Sequence, residues 1–380
     1  MKILFIVQGE GRGHLTQAIA LEEMLRNEGH EVVEVLVGKS KSRQLPGFFN
    51  RQIQAPVKHF NSPNFLPSST NKQANLGRSF IYNLLKTPEY IKSILFLNKQ
   101  IQLSNADLVI NFYELLCGLT YLFFRPSVPQ ICIGHQYLFL HHSFKFPDKK
   151  KFSQSLLRFF TRLTCLGAKE KLALSFLTMP HDEEAHIRVV PPLLRKEVLC
   201  CEGTEGDYLH GYILNAGFHE SIRKWHQIHP QTPLHFFWDK NNEEDLCRID
   251  DTLVFHTIDD REFLRYMSGC KAYATTAGFE SVCEAMYLGK PMLMVPAHIE
   301  QFCNAYDAVR AGAGITAEDF DLSSLLDFSS SYKPNPTFRN WVKNAKWHIL
   351  QRINLVHQTS KPTSFFSSFP IKYTLENHTR

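Results

Sequence analysis

Apolar runs at the start of the chain predict buried parallel strands. Residues 3–7 are a continuous apolar block, and residues 32–37 are apolar apart from Glu34; both are rich in β-branched side chains, as is typical of buried strands. Between them, apolar residues recur at helical spacing over 16–27, and Gly29 closes the predicted helix. Strand, glycine-rich loop, helix and strand form a βαβ unit. Such a unit predicts a doubly wound parallel sheet.

Further apolar runs extend this α/β pattern along the chain. Strands are also predicted at 108–110, 130–133, 173–177 and 189–190. After residue 206 a second alternation of strands and helices begins, and its short apolar runs are YILNAGF, PLHFFWD, TLVFHTI, AYATTAGF and PMLMVP. The chain is therefore predicted to form two Rossmann-like, doubly wound α/β domains.

A break in this pattern sets the domain boundaries. The stretch VVPPLLRKEVLCCEGTEGDY contains a proline pair, a charged run and two glycines, so the linker is placed near 195–206. The predicted domains are 1–197 and 206–332. A helix follows at 333–355, and the tail 356–380 has the composition of a poorly ordered segment.

The segment 145–166, KFPDKKKFSQSLLRFFTRLTCL, predicts a basic amphipathic helix. Its apolar face consists of Phe152, Leu156, Leu157, Phe159, Phe160 and Leu163, and lysines and arginines surround that face. Two interpretations stay open. The helix packs on its sheet with a solvated basic side, or it contacts a membrane surface or a lipid acceptor.

Composition narrows the class of protein. At 380 residues and 44% hydrophobic content, the chain is long enough for two domain cores. A net charge of +5 with dispersed basic residues argues against a dedicated nucleic-acid binder and suits an anionic small ligand. Nine cysteines without CxxC pairs indicate reduced thiols and no structural zinc. With no signal-like or membrane-spanning apolar run, a cytoplasmic protein is expected.

The first candidate site is the loop GEGRGH after the first predicted strand. A glycine loop between a strand and a helix presents backbone N–H groups and the positive helix end to an anion. His14 stands where a dinucleotide-binding loop has its third glycine, and the GK[ST] ending of a triphosphatase loop is missing. Candidate catalytic residues are His14 and Glu10. Candidate phosphate or acceptor residues are Gly11, Arg12, Gly13 and His135, the last of which follows a predicted strand.

The second candidate site lies in TTAGFESVCEAMYLGKPMLMVPAHIEQFCNA. A strand ends at Thr276, a tight turn follows, and Glu280 and Glu284 lie one helical turn apart. The N–H groups of such a turn suit a diphosphate, and a carboxylate one turn inside the helix suits a ribose diol. The candidate donor-binding residues are Gly217, Thr257, Ile258, Thr276, Ala277, Gly278, Phe279, Glu280, Ser281, Glu284, Glu300 and Gln301.

Both motifs together resemble GT-B glycosyltransferases, particularly the branch of the lipid II N-acetylglucosaminyltransferase, a family 28 type. The segment GFESVCEAMYLGKPMLMVPAHIEQFCNA resembles the donor signature, and GEGRGH resembles the acceptor-side loop. The resemblance implies that Glu284 binds the ribose and that Glu300 and Gln301 contact the donor sugar. It implies that His14 acts either as the catalytic base or in contacts with the transition state and the diphosphate. It also implies a cleft between the domains and a return of the helix 333–355 to the first domain.

The sequence departs from that family at two places. Where relatives carry a glycine- and serine-rich phosphate loop, this chain has ILNAGFHES, in which Gly217 and Ser221 are partial substitutes. Relatives usually have aspartate at the position of Glu300. The diphosphate is therefore expected to depend more on the turn at 277–280.

The predicted function is transfer of a hexosyl group from a nucleotide diphosphate sugar, with a UDP-sugar favoured, to a hydroxyl acceptor. The resemblance implies inversion, and the missing DxD triplet favours a metal-independent reaction with no cofactor. The stretch 60–105 and the basic aromatic helix point to a lipid-linked or envelope-glycan acceptor at the inner membrane face, although the same features are typical of helices that cover a sheet. A nucleotide-sugar hydrolase of the same fold and a non-catalytic sugar-nucleotide sensor are the alternatives.

Overall fold

The computed structural model of the protein describes residues 1–41, 43–63, 87–213, 218–238 and 246–360. Gly217 and residues 361–380 of the predicted tail lie outside this described part, as does much of the stretch 60–105. The statements below concern the described residues.

The first domain contains a seven-stranded sheet that begins with the predicted βαβ unit. Its order is β3-β2-β1-β4-β5-β6-β7, and every strand is parallel to its neighbours. The strands are Lys2–Gln8 (β1), Glu31–Lys39 (β2), Val57–Asn61 (β3), Leu108–Phe112 (β4), Gln130–Gly134 (β5), Glu170–Leu174 (β6) and Ile187–Val190 (β7). The chain winds outward from β1 to β3 and returns at β4, so the winding direction switches between β1 and β4.

The second domain contains a sheet of the same size. Its order is β10-β11-β9-β8-β12-β13-β14, and its neighbours are parallel except β10 and β11, which are antiparallel. The strands are Leu209–Ile213 (β8), Leu234–Trp238 (β9), Leu246–Arg248 (β10), Leu253–Thr257 (β11), Ala272–Thr275 (β12), Met292–Met294 (β13) and Gly314–Thr316 (β14). Here the winding direction switches between β8 and β12.

Helices cover both sheets, as expected of parallel strands. The first domain has Arg12–Asn27 (α1), Gly47–Gln52 (α2), Thr87–Leu103 (α3), Leu115–Phe124 (α4), a 3-10 helix His135–Leu140 and Lys151–Thr164 (α5). Lys196–Leu199 (α6) lies in the linker. The second domain has His219–Ile228 (α7), Asp260–Gly269 (α8), Phe279–Tyr287 (α9), Ile299–Arg310 (α10) and Leu322–Ser331 (α11), and Pro336–Lys343 (α12) and Ala345–Ser360 (α13) follow.

The largest apolar cluster continues from one domain into the other. It includes Phe5 of β1 and Leu15 of α1 in the first domain, and Phe279 and Val282 of α9 in the second. Burial of apolar surface therefore stabilises the junction of the domains as well as their separate cores.

Most of the predicted elements are confirmed within the described residues, and several of their ends are shifted. The first helix begins at Arg12, four residues before the predicted start, with Gly11 as its extended N-cap. The strand predicted at 173–177 begins earlier, at Glu170. The charge of Glu170 is balanced by Arg188 and Arg352, which both donate to its carboxylate.

The amphipathic helix α5 buries only part of its predicted apolar face. Leu157 and Phe160 are half-buried and pack against a core cluster, whereas Phe152 is 81% exposed and Phe159 is 56% exposed. The buried side chains of this helix are polar, and they are Gln154, Thr161 and Thr164. Gln154 donates to the carbonyl of Pro147, so hydrogen bonds hold part of the inward side, while Phe152 and Phe159 face outward.

The segment after residue 333 forms two helices, with a break at Asn344. Both contact the first domain. Trp341 of α12 donates from Nε1 to the carbonyl of Ser175 at 3.0 Å. Arg352 of α13 donates from Nε to Glu170 at 3.0 Å, and Lys346 forms an ion pair with Glu28. The chain therefore passes between the domains twice, at the linker and again here.

Candidate functional site

The two predicted motifs meet at the carboxyl ends of the sheets. The loop after β1 and the start of α1 face the turn between β12 and α9 across the domain junction. This is the position at which open parallel sheets bind ligands. Gly13 approaches α9 so closely that a Cβ at this position would lie 3.2 Å from Cγ of Glu280. The glycine therefore permits the close contact of the two motifs.

The loop residues Glu10 and Arg12 are both engaged within the first domain. Glu10 is 2% exposed, and its carboxylate accepts a hydrogen bond from the backbone N–H of Ser40. The guanidinium of Arg12 lies 6.0 Å from the ring centre of Phe48, and the carbonyl of Arg12 accepts from Thr16. Glu10 thus ties the first loop to the end of β2, which makes it a weaker candidate base than His14.

His14 lies in the first turn of α1, and both of its ring nitrogens have neighbours. Nδ1 is 3.2 Å from Oε1 of Gln17, and Nε2 is 3.4 Å from Nε2 of Gln136. Its ring stacks on Tyr113, with centroids 5.5 Å apart. Burial lowers the pKa of His14 to about 4, although the hydrogen bond with Gln17 opposes this shift. The imidazole is therefore neutral at pH 7, as a base requires.

Tyr113 supports the imidazole from a strained backbone position. It follows β4 directly and has a φ of 61°, which is rare for a residue other than glycine. Its hydroxyl is 2.8 Å from Oγ1 of Thr161 in α5. Strain of this kind persists only where surrounding contacts determine the conformation, and it is frequent at active sites.

A second strained residue shapes the turn on the opposite side of the junction. Ala277 has a φ of 63° and is fully buried. Gln301 braces this turn, because its Oε1 accepts from the N–H of Ala297 and its Nε2 lies 3.5 Å from Oγ1 of Thr276. Asn304 donates to the carbonyl of Ala277. A left-handed residue before a helix start forms a concave set of N–H groups, which suits an anion.

The start of α9 follows this turn. Gly278 is its extended N-cap, and Ser281 donates to the carbonyl of Gly278 at 3.2 Å. Glu280 lies in the first turn, and its Oε1 accepts from Nε2 of Gln17 at 2.5 Å. Burial raises the pKa of Glu280 to about 8 against the opposing hydrogen bond from Gln17. The predicted acid is thus protonated at pH 7, and its contact is with the first domain.

Glu284, the predicted ribose ligand, is paired with a residue of the linker. Nη2 of Arg195 donates to Oε1 of Glu284 at 2.9 Å, and both side chains are buried. A second carboxylate, Asp260, lies 3.7 Å from Nη1 of Arg195. Breaking a buried pair leaves an uncompensated charge, so Glu284 has a role in folding whatever it binds.

Two further predicted residues cross the junction from opposite sides. Oε1 of Glu300 accepts from Nε2 of Gln136 at 2.9 Å, and burial raises the pKa of Glu300. His135 stacks on Phe279, with ring centroids 4.1 Å apart. Phe279 belongs to the turn 277–280, which is called the donor turn below. Nδ1 of His135 donates to the carbonyl of Leu174, and its buried Nε2 has no protein partner. Burial lowers the pKa of His135 to about 4.

Of the remaining predicted residues, those that the structure describes are not among the contacts given above. Thr257 and Ile258 are at the end of β11, three places from β12 in the sheet order. Ser221 donates to Asp319 at 2.7 Å. Gly217 lies outside the described residues.

A possible metal-binding group exists elsewhere, at the end of the 3-10 helix. It consists of His141, His142 and Asp182. The two histidines are adjacent in the sequence, but nothing in the sequence indicates that Asp182 lies beside them. Within the described chain, however, the atoms of this group already have partners. Nε2 of His141 donates to the carbonyl of Pro180, and Nδ1 accepts from the N–H of Ser143. Nδ1 of His142 donates to Asp182. These bonds are those of a loop held together by its own side chains.

Three residues of the site were missed from the sequence. Gln17 lies one turn after His14 on the same helix face, a spacing that identifies it in hindsight. Gln136 immediately follows the predicted His135. Arg195 lies 89 positions from Glu284, and nothing in the local pattern marks it.

Comparisons with solved structures agree with this architecture. A glycotransferase of kitacinnamycin has a TM-score of 0.59 and 15% identity, with 95% of this chain and 99% of that chain covered. Spinosyn forosaminyltransferase SpnP has a TM-score of 0.58 and 13% identity, with 94% and 99% covered. UGT89C1 of Arabidopsis thaliana, complexed with UDP-L-rhamnose, has a TM-score of 0.57 and 14% identity, with 94% and 98% covered. No curated protein matches the sequence.

The predicted GT-B fold is confirmed by these structures, and the predicted enzyme class is confirmed by a match to a family model. That model, described as glycosyl transferase family 1, matches residues 1–332. The match includes both sheets, the first loop and the donor turn. The chain belongs to glycosyl transferase family 1.

Proposed function

We propose that the protein transfers a hexosyl group from a UDP-sugar to a hydroxyl acceptor, with inversion at the anomeric carbon and without a metal ion or resident cofactor. The observation that carries this proposal is the meeting of His14 and the donor turn at one junction, with Glu280 of the turn held by Gln17. A neutral imidazole with an unprotonated ring nitrogen faces a turn suited to a diphosphate.

In the proposed step, Nε2 of His14 takes the proton of the acceptor hydroxyl. The acceptor oxygen forms a bond to the anomeric carbon from the face opposite the diphosphate, which inverts that centre. The bond between the anomeric carbon and the diphosphate oxygen breaks, and its electron pair leaves on the diphosphate. N–H groups at the start of α9 stabilise that charge, as helix N-termini do for anions. A cation is therefore not needed for this role.

One feature suits the ribose of a nucleoside diphosphate, and a second favours UDP among these nucleotides. Glu284 occupies the position that the family resemblance assigns to the ribose, and it is fixed there by Arg195. In addition, the related UGT89C1 structure is a complex with UDP-L-rhamnose. Glu300 and Gln301 are the proposed sugar contacts.

A screen of nucleotide sugars with product detection tests this proposal against both alternatives. A transferase releases UDP faster when an acceptor is present and forms a glycosylated product. Equal rates of UDP release with and without acceptors would instead identify a nucleotide-sugar hydrolase. Binding of UDP-sugar without release of UDP under any condition would identify a sensor.

We further propose that the acceptor is lipid-linked and that α5 docks on an anionic lipid surface. The exposed apolar side of α5 carries Phe152, Leu156 and Phe159, and the adjacent helix α4 exposes Phe123 by 66%. The two helices approach closely at Gly118, where a Cβ would lie 2.1 Å from the carbonyl oxygen of Leu163. A wide apolar surface with basic residues beside it is typical of proteins that bind membrane interfaces.

The basic residues near this surface give its preference for anionic lipid. Lys149, Lys151 and Arg162 are exposed beside the apolar side of α5. No helix in the described ranges has both the length and the apolar character required to cross a membrane. The proposed contact is therefore interfacial, which would place the site beside the cytoplasmic face of a membrane.

Vesicle co-sedimentation tests the lipid proposal. The protein should bind vesicles containing anionic lipid more tightly than vesicles of neutral lipid alone. The double variant Phe152→Ser/Phe159→Ser should weaken binding by roughly tenfold or more, because burial of each ring is lost. Trp347→Ser is the matched control, since Trp347 is 62% exposed on α13. Equal binding by both variants would contradict the assignment to α5.

A further inference from the structure

Two glutamines of the first domain connect His14 to carboxyl groups of the second domain. Gln17 has its Oε1 at 3.2 Å from Nδ1 of His14 and donates from Nε2 to Glu280. Gln136 has its Nε2 at 3.4 Å from Nε2 of His14 and donates from that atom to Glu300. Each ring nitrogen of His14 is thus one side chain away from the donor domain.

The hydrogen bonds of Gln17 determine where the proton of the neutral imidazole lies. Because Nε2 of Gln17 donates to Glu280, its Oε1 is directed at His14. An amide oxygen only accepts hydrogen bonds, so Nδ1 of His14 carries the proton. Nε2 of His14 is then the unprotonated nitrogen, and it is the atom that the proposed reaction requires.

The contact of Gln136 agrees with this assignment. Its Nε2 is the atom near both Glu300 and His14, and an amide N–H donates only to an unprotonated Nε2 of His14. That nitrogen has a single lone pair, so in the proposed reaction the acceptor hydroxyl replaces this 3.4 Å contact. The Oε1 of Gln136 is buried and has no protein partner. Both glutamines therefore favour the same form of the imidazole, and both are themselves oriented by acceptors on the other domain.

All four side chains of these two contacts are shielded from solvent to a large degree. Gln17 is 2% exposed, Gln136 is 4% exposed and Glu280 is 9% exposed, and Glu300 is half-buried. In such surroundings a side-chain amide that loses its acceptor rotates and donates to another acceptor, because an unpaired buried polar group is costly. The amide orientations at His14 thus depend on the presence of Glu280 and Glu300.

We propose that Gln17 and Gln136 are positioning residues that hold His14 as the Nδ1–H form only while Glu280 and Glu300 of the donor domain are in contact with them. The base is then assembled by closure of the domains. This inference rests on the proposed function, in which His14 is the base. If it holds, a substitution of Glu280 in the second domain changes which ring nitrogen of His14, in the first domain, carries the proton.

Long-range ¹H–¹⁵N NMR of the full chain labelled with ¹⁵N-histidine tests this without substrate. The His14 signal is assigned by its absence in His14→Gln. The wild type should show a single Nδ1–H form. Gln17→Leu and Glu280→Leu should both give a mixture of the two forms, whereas Glu280→Gln keeps an acceptor for Gln17 and should retain the single form.

Gln52→Leu is the matched control. Gln52 also donates across the junction to a donor-domain carboxylate, Asp260, at 3.1 Å, and it is not among the contacts of His14. Its loss removes an equivalent interdomain hydrogen bond. The His14 form and kcat should stay as in the wild type, with kcat within about twofold. Gln17→Leu should lower kcat by about 10- to 100-fold, as expected of a misplaced base, with little change in the KM for donor.

Two results would overturn the inference. One is a wild-type His14 form in both Gln17→Leu and Glu280→Leu. The other is an equal loss of kcat in Gln17→Leu and Gln52→Leu, which would mean that only the stability of the junction matters. Failure of the proposed function is a separate result, because it would appear as near-normal turnover in His14→Ala while the NMR measurement stays informative.

Discussion

The two sides of the site stand on sheets of the same size, yet they hold their polar groups differently. On the first side, the helix after the first strand enters the junction, and its key side chain is a neutral histidine. On the second side, the helix after β12 enters, and it carries Glu280 and Glu284 behind a left-handed turn. The first side offers a proton acceptor, and the second offers N–H groups and carboxyl groups.

Because the two kinds of polar group lie on different domains, neither domain alone contains the complete proposed site. The proposed base, His14, lies in the domain that carries the exposed apolar residues of α5, whereas the residues proposed for the nucleotide lie in the other. The contacts between Gln17 and Glu280 and between Gln136 and Glu300 join the two sets. Substitutions at His14 and at the contacts that orient it should therefore alter turnover, and substitutions at Glu284 should alter donor binding and folding.

The largest effect is expected at His14. His14→Ala should lower kcat at saturating donor by about two to four orders of magnitude, as for loss of a general base, while UDP affinity changes little. His135→Phe is the comparison within the same domain. It keeps the ring stacking on Phe279 and should change kcat far less. Near-normal turnover in His14→Ala would move the search for the base to His135 and Glu10.

The next largest effect is expected at Glu284, on the other side. Glu284→Ala should lower the free energy of unfolding by about 3 kcal/mol, because Arg195 is left buried with only the more distant Asp260. It should also weaken UDP binding by roughly 1 to 3 kcal/mol. Urea unfolding and calorimetry measure the two quantities.

Glu284→Gln distinguishes the hydrogen bonds from the charge, because an amide oxygen still accepts from Arg195 and from a ribose hydroxyl but does not compensate the buried charge of Arg195. It should recover most of the loss in UDP binding and only part of the loss in stability. Unchanged UDP affinity in Glu284→Ala would remove this residue from the nucleotide site and leave it a purely structural partner of Arg195.

A smaller effect concerns acid stability, and it is centred on His210 in the second domain. Burial lowers the pKa of His210 to about 3, below the value near 6.5 of an unfolded chain. The unfolded chain therefore binds a proton first as the pH falls. Stability that is present above pH 6.5 is lost as the pH falls from 6.5 towards 3.

His210→Phe should remove this loss. Relative to the variant, the wild type should lose about 1.4 kcal/mol for each pH unit below 6. Buried carboxyl groups such as Glu280 act in the opposite sense in both proteins and cancel in the difference. Urea unfolding between pH 7.5 and 4.5 measures it, and parallel curves for the two proteins would contradict this account of His210.

The smallest effect is expected at Gly13, between the two sides. Gly13→Ala adds a Cβ 3.2 Å from Glu280 and should lower kcat severalfold by separating the motifs. The same change favours the helix by up to about 1 kcal/mol, so stability should not fall. At Gly11 a Cβ meets only Oε1 of Gln8 at 4.0 Å. Gly11→Ala is thus the control, and equal kcat in the two variants would show that close approach at Gly13 is unimportant.

Much of the fold was predictable because parallel strands buried on both faces read as continuous apolar runs. Residues 3–7 are an example, and each is fully buried. The antiparallel edge strand Leu246–Arg248 was missed because it is three residues long, too short to show an alternating or continuous apolar pattern. The start of α1 was misplaced because the glycines of GEGRGH are typical of a loop. In the structure, Gly11 is the N-cap of α1 and Gly13 lies in its first turn.

The candidate residues were predictable, and their partners were not. The spacing of Glu280 and Glu284 places both on one face of α9, but no local pattern reveals that one meets Gln17 and the other Arg195. These partners are distant in the sequence, and only the folded topology brings them together. The sequence did not decide whether the apolar residues of α5 pack on the sheet or face outward. Amphipathic spacing shows that a helix has two different sides, but it does not show which side faces the core.

The double passage of the chain between the domains has a mechanical consequence. A single tether leaves two bodies free to rotate about three axes and to drift apart within its reach. A second tether, formed here by α12 and α13 with Trp341 and Arg352 anchored on the first domain, leaves one main rotation, about the line through both tethers. Each half then encounters the other at a high effective concentration and in one orientation. Opening and closing of the domains around a substrate would then be the two directions of one hinge rotation.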